Sequence, residues 1–311
     1  MKRLLLLFAA ILMASTGMWA ETVDYLYPMY NTADDPTSGI KEWKTASVDA
    51  TVVTDAATPV TWGTAGTETW YVVKGSDVTL SQGAICSGNV HLILADGAKL
   101  TATGIDDVTN STPGIQVSGD GNSLTIYGQT AQTGILKATG KTYSAGIGGG
   151  YAGTILFEGG QGSYITINGG TVIANGGIGG AGIGSGLSGA ASSNITVATI
   201  LTLKAGSTEN PADAIANNGG ELTGSLAGQQ YVTVSDAICN ITANQDPNNK
   251  ANYYSTFYSG KKAYSVPSGV TAYTGAVDGS VLKLTAIESG IIPAGEAVIL
   301  RLTTEDNTAT K

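Results

Sequence analysis

Few residues in this chain have the chemistry for catalysis, and His91 is its single histidine. Any Ser-His-Asp or Cys-His mechanism must therefore run through it. It sits between Val90 and Leu92 in a run that alternates like a strand, which points its ring away from a core. No sequence neighbour supplies a nucleophile or an orienting acid, so the expectation is an ordinary exposed strand residue. The arginines are Arg3 and Arg301, and 15 Lys plus Arg face 24 Asp plus Glu, a formal net charge of −9. No basic cluster is present to neutralise phosphates, which argues against a nucleic-acid partner.

Carboxylates come next. Hydrolysis of a polysaccharide needs two of them converging on a cleft. Asp106 and Asp107 lie in an insertion, Gly104 to Pro113, that can overhang a face, with Lys137 and Lys141 downstream. Adjacent acids on an extended chain point to opposite sides, however, and do not form a pair by themselves. Solvated loop acids are the preferred reading, and a polysaccharide lyase or glycosidase the alternative. Asp120-Gly-Asn122 offers oxygen ligands to Ca²⁺ but lacks the later ligands and closing Glu of a calcium loop, which leaves a turn.

Cys86 and Cys239 share the setting Ala-Ile-Cys. One disulfide or two small buried hydrophobes both fit, the second being preferred. Two Cys and one His are too few for a spaced metal set. Gly180-Ala-Gly182-Ile-Gly184-Ser-Gly186 has the spacing of a dinucleotide fingerprint, but no helix follows it. The same pattern stands one unit earlier at Gly146 to Gly150, so it reads as a corner that repeats. No cofactor and no resident metal are expected. Sugar recognition instead needs apolar platforms beside hydrogen-bonding groups. Tyr143 and Tyr151, which bracket the Gly146 to Gly150 corner, are candidates, with Tyr254 and Tyr258 in a C-terminal aromatic cluster. The ordinary alternative for each is packing, because tyrosine is amphipathic.

The elements that must position these residues repeat. Val90-His-Leu-Ile-Leu, Leu124-Thr-Ile, Ile165-Thr-Ile and Ile195-Thr-Val lead successive units. Second runs follow at Leu100-Thr-Ala, Leu136-Lys-Ala, Val172-Ile-Ala and Leu203-Lys-Ala, and third runs at Gly114-Ile-Gln, Gly146-Ile-Gly, Gly182-Ile-Gly and Ala214-Ile-Ala. Aligned on Ala102, Ala138, Ala174 and Ala205, the steps are 36, 36 and 31 residues. A fixed period of this size marks a solenoid. Three short strands per unit, glycine corners and no helical periodicity select an all-β fold, a right-handed parallel β-helix of about four or five coils. The 44 glycines, about twice the usual share, suit its corners.

Four segments are expected. Residues 1–20 carry a basic start, an apolar run from Leu4 to Met13 and small residues to Ala20, the order of a secretory signal peptide. The run is shorter than the ~20 residues a spanning helix needs. Residues 21–67 form an N-terminal cap, 68–229 the β-helix repeats, and 230–311 a small C-terminal β-domain with strands such as Val281-Leu-Lys-Leu and Ala297-Val-Ile-Leu.

Ile165-Thr-Ile-Asn-Gly-Gly-Thr-Val, Ala145-Gly-Ile-Gly-Gly-Gly and Val90-His-Leu-Ile-Leu-Ala-Asp-Gly-Ala-Lys-Leu resemble the repeats of secreted parallel β-helix surface proteins of gut Bacteroidetes and Firmicutes, described as carbohydrate-binding-domain-containing. The resemblance covers about Trp70 to Ala216 and implies export and a β-helix; it brings no catalytic residues. Thr256-Phe-Tyr through Ile292-Pro-Ala-Gly-Glu-Ala-Val is similar to a C-terminal module of secreted Bacteroidetes proteins. That module normally continues past its final Ile-Leu strand, so truncation at Lys311 is an expectation here. Together these readings give a secreted or cell-surface, non-catalytic protein for recognition or adhesion. Its expected partner is a polysaccharide or glycoprotein glycan, and a structural surface stalk is a further alternative.

Overall fold

A computed structural model describes residues 20–33, 35–106, 110–152, 158–189, 192–198, 201–211, 214–215, 220–236, 243–258, 264–266, 270–279, 281–287, 291–292 and 296–302. The expected export segment (apart from residue 20), Asp107, Asp213 and Cys239 lie outside these residues.

The described chain is all-β apart from one helical turn, Thr223–Leu226. From Glu68 onward the chain visits three ladders in a fixed order. Strands Glu68–Val73, Asn89–Leu94, Ser123–Gly128, Ser163–Ile167 and Ser193–Val197 stack side by side, all parallel, in the first. Val78–Leu80, Lys99–Thr103, Ile135–Thr139 and Thr171–Asn175 do so in the second. Val60–Trp62, Ala84–Cys86, Ile115–Gln116, Ile147–Gly148 and Ile183–Gly184 form the third.

The register follows the repeat read from sequence. Val90, Leu124, Ile165 and Ile195 stand in one column, and Leu100, Leu136 and Val172 in another. All are fully buried, while the residues between them face out, as alternation along a strand requires. Each such side chain contributes roughly 1.5–3 kcal/mol. Short rungs of this kind therefore hold together through columns that cross unit boundaries. Glycine enters where rungs touch: a Cβ on Gly149 would lie 1.7 Å from the Gly160 carbonyl oxygen. Gly148 and Gly184, one unit apart, both take a φ near +130°, at 132° and 135°, which other residues rarely adopt.

The fourth unit departs from expectation. Ala205 does not stack on Ala174; strand Tyr231–Asp236 lies between them, antiparallel to both neighbours, with Val232 facing each alanine. Nor does Ala214 extend the third ladder, because Ala214–Ile215 pairs antiparallel with Lys204 and Leu203. Chain length is not the cause, since the 31 residues from Ala84 to Ile115 and the 30 from Ile165 to Ile195 both close a parallel rung. The edge beside Thr171–Asn175 is taken by a strand from later in the chain. Tyr231–Asp236, just past the expected boundary at 229, brings Val232 and Val234 into the main core instead.

At the other end, Ala20–Thr32 and Asp35–Val52 form a long antiparallel hairpin whose last residues, Thr51 and Val52, join the first ladder in parallel beside Tyr71 and Val72. The hairpin also packs on that ladder's outward side, where Gln129 Nε2 donates to the Asp24 carbonyl at 2.8 Å. Val72 and Ile93 point outward, yet are fully buried. A separate antiparallel sheet follows, in the order Asn244–Gln245, Tyr253–Tyr258, Ala297–Leu302, Val270–Asp278 and Val281–Ala286. Its core holds Tyr253, Ala272, Val298, Leu300 and Leu302.

Candidate functional site

Tyr143 and Tyr151 are brought together. Their ring centroids lie 4.9 Å apart, edge to face at 63°, and both side chains are half-buried. The backbone fixes them. Tyr143 N–H donates to the Ile178 carbonyl at 3.1 Å, and its carbonyl accepts from Leu187 at 2.7 Å, so the next unit holds it from both sides. Its φ of 66° is left-handed, a conformation that costs about 1–2 kcal/mol for a side-chain-bearing residue. Tyr151 is the middle strand of a small antiparallel sheet, paired with Ser111 and Gly159.

Asp106 is wired to both tyrosines. Its Oδ1 accepts from Ser111 Oγ at 2.7 Å and its Oδ2 from Thr142 Oγ1 at 2.9 Å. Ser111 is the strand partner of Tyr151, and Thr142 precedes Tyr143. Ser144 Oγ closes the frame by donating to the Ser111 carbonyl at 2.7 Å. Those two hydroxyl bonds, with Lys141 nearby, hold the Asp106 carboxyl below its ordinary range. It stays ionised, an acceptor with no proton to give. An aromatic corner beside a fixed carboxylate can stack the C–H face of a sugar ring and accept its hydroxyl protons.

Beyond this corner, one rung on, lies a cleft of about 400 Å³ bordered by Gly179, Ile183, Gly186, Ile195 and Leu226. Gly179 joins the two features, since a Cβ there would stand 3.5 Å from Tyr143 Cδ1 and 3.1 Å from Leu187 Cδ1.

The other candidates disperse. Tyr254 and Tyr258 belong to the C-terminal sheet, Tyr254 half-buried opposite Arg301 and Tyr258 64 % exposed beside a groove of about 290 Å³. Lys137 faces outward on the second ladder between Thr101 and Ile173. Asp107 and the Glu158 side chain fall outside the described residues. Asp120 is an exposed turn residue, and Asn122 serves the backbone, accepting from Gly88 N–H and donating to the Ser118 carbonyl. Cys86 is a free, buried thiol, which burial pushes far above its usual pKa. Among the described residues no group of three His, Cys, Asp or Glu could hold a metal, and no helix is long and apolar enough to cross a membrane.

His91 is the main correction. It points outward as expected but is not an ordinary exposed residue. Its ring stacks on Trp70 at 4.2 Å and 12°, Nδ1 lies 3.2 Å from the Tyr127 hydroxyl, and Nε2 lies 3.7 Å from Glu68 Oε1. Tyr25 of the hairpin covers this stack, 4.7 Å from Trp70 and 4.9 Å from Tyr127. The rings use their faces on one another, so the cluster fastens the hairpin and offers no open platform. A signal for the Asp106 contact was present in the sequence, since Thr142 lies one 36-residue unit on; His91 itself stands in register with Thr125, 34 residues on, and Tyr127 with Ile93.

Burial lowers the His91 pKa, with Glu68 opposing it in part. Between that lowered value and about 6.5, the unfolded chain binds a proton that the folded chain does not. Stability is therefore full above about pH 6.5 and falls as the pH drops across this window. With one histidine, a single imidazole resonance in an NMR titration reads the pKa directly. A midpoint below 6.5 is expected; a midpoint above it would mean that the Glu68 pair outweighs burial.

Comparison with known proteins finds no family model, no curated protein and no solved structure that matches this chain.

Proposed function

We propose that this chain is an exported, non-catalytic protein, a right-handed parallel β-helix that recognises glycans at or outside the cell surface. The observation that carries the reading is the Tyr143–Tyr151 pair beside Asp106, held by bonds that reach into neighbouring units. A rigid corner loses little conformational freedom on binding, which favours affinity from few contacts. The coil geometry is supported by the fixed visiting order of three parallel ladders, and export by the basic start and apolar run of residues 1–20. Asp106 held ionised is no general acid, so a glycosidase built on it would need a second carboxyl group to protonate the leaving oxygen.

The test is binding to an immobilised panel of host, dietary and bacterial glycans. Saturable binding to at least one is expected. No affinity for any glycan or glycoprotein would sink the proposal and leave a protein partner or a passive stalk.

A further inference from the structure

We infer that the cleft beyond Ile183–Gly184 is a strand-acceptor site, taking an extended polypeptide segment of Gly-Ile-Gly type as the next rung of the third ladder. The ladder itself defines the occupant. Ala84, Ile115, Ile147 and Ile183 stand in one column, each rung paired in parallel with the next. Across each step the same amide donates onward: Ala84 to the Gly114 carbonyl, Ile115 to Gly146 and Ile147 to Gly182, at 3.1, 3.1 and 2.9 Å. Repetition stops at Ile183. Its side chain is buried, and among the described residues Ile183–Gly184 is the edge of the ladder, with no further rung beside it.

The chain closes its own end only up to that point. Gln229 and Gln230 carbonyls accept from Gly182 and Gly176, both at 2.7 Å, one residue short of Ile183. The matching rung in sequence, Ala214-Ile215, is engaged elsewhere with Leu203 and Lys204. What remains is the cleft of about 400 Å³, within the size range of ligand sites. Ile195 and Leu226 supply apolar contact for an incoming isoleucine, and bare backbone at Gly186, Gly189, Gly224 and Gly228 leaves room for its neighbours. Strand addition of this sort draws affinity from main-chain bonds and register from the side-chain pocket. The rung-to-rung interface, three times repeated, simply continues.

The probe is a fluorescent synthetic heptapeptide copying Ser144–Gly150, titrated against the full chain by anisotropy. Saturable binding is expected, with at least a tenfold loss when the peptide carries Ile147→Asp. In the chain, Gly224→Trp is expected to weaken binding by a similar factor. A Cβ at Gly224 meets nothing within 4 Å, so the variant should keep its melting temperature. No saturation at millimolar peptide, or binding unaffected by both changes, would overturn the assignment.

Discussion

Leu136→Ala is expected to cost this fold about 2–5 kcal/mol, whereas Lys137→Ala, one residue along, should stay within about 0.5 kcal/mol. Leu136 is fully buried in the column between Leu100 and Val172. Truncation there leaves a cavity that three neighbouring units share and that none can fill by moving alone. Lys137 faces outward between Thr101 and Ile173, and its loss removes little apolar contact. Urea unfolding of both variants measures the difference. Equal effects at the two positions would contradict the in-and-out alternation on which the ladders depend.

The second large effect concerns binding. Removing either ring of the Tyr143–Tyr151 pair is expected to lower glycan affinity at least tenfold, about 1.4 kcal/mol. Loss of this order is typical when a central aromatic contact is truncated. Tyr143→Gly is the informative variant, because φ is 66° there and glycine takes that conformation without cost. Removing the ring therefore relieves backbone strain while deleting the platform, so binding falls without a matching loss of fold. Tyr151→Ala lacks that relief and should lose both affinity and some stability. Titration of each variant against the bound glycan, with a thermal melt alongside, separates the two contributions. Full affinity in Tyr143→Gly would move the site elsewhere, with Tyr258 the next exposed aromatic to test.

Much of the architecture was legible because its causes are local. Alternation at Val90-His-Leu and Ile165-Thr-Ile assigns inward and outward sides, and the step of 36 residues places Leu100, Leu136 and Val172 in one column. The C-terminal β-sheet was readable for the same reason, from Val281-Leu-Lys-Leu and its turns. What escaped depends on contacts far apart in sequence. Gln129 reaches Asp24 across 105 positions, and nothing near His91 foretells that a hairpin will cover it. The fourth unit departs because Tyr231–Asp236, a strand from later in the chain, takes the edge beside Thr171–Asn175, and no local pattern announces that.

The candidate site was half legible. Tyr143 and Tyr151 stood out by flanking a glycine corner, but their contact arises from the small sheet that pairs Tyr151 with Ser111, two residues at a time. Runs so short carry no periodic signal. Asp106 was weighed as half of an acid pair with Asp107. Its role as a fixed acceptor comes from Ser111 and Thr142, and Thr142 could have been found by counting one unit forward.

Affinity electrophoresis through gels containing single polysaccharides tests the central claim most directly, provided polymer length is measured afterwards. Retardation on at least one gel with the polymer unshortened is the expected result. Retardation with depolymerisation would contradict the non-catalytic reading, and free migration through every gel would contradict glycan recognition itself.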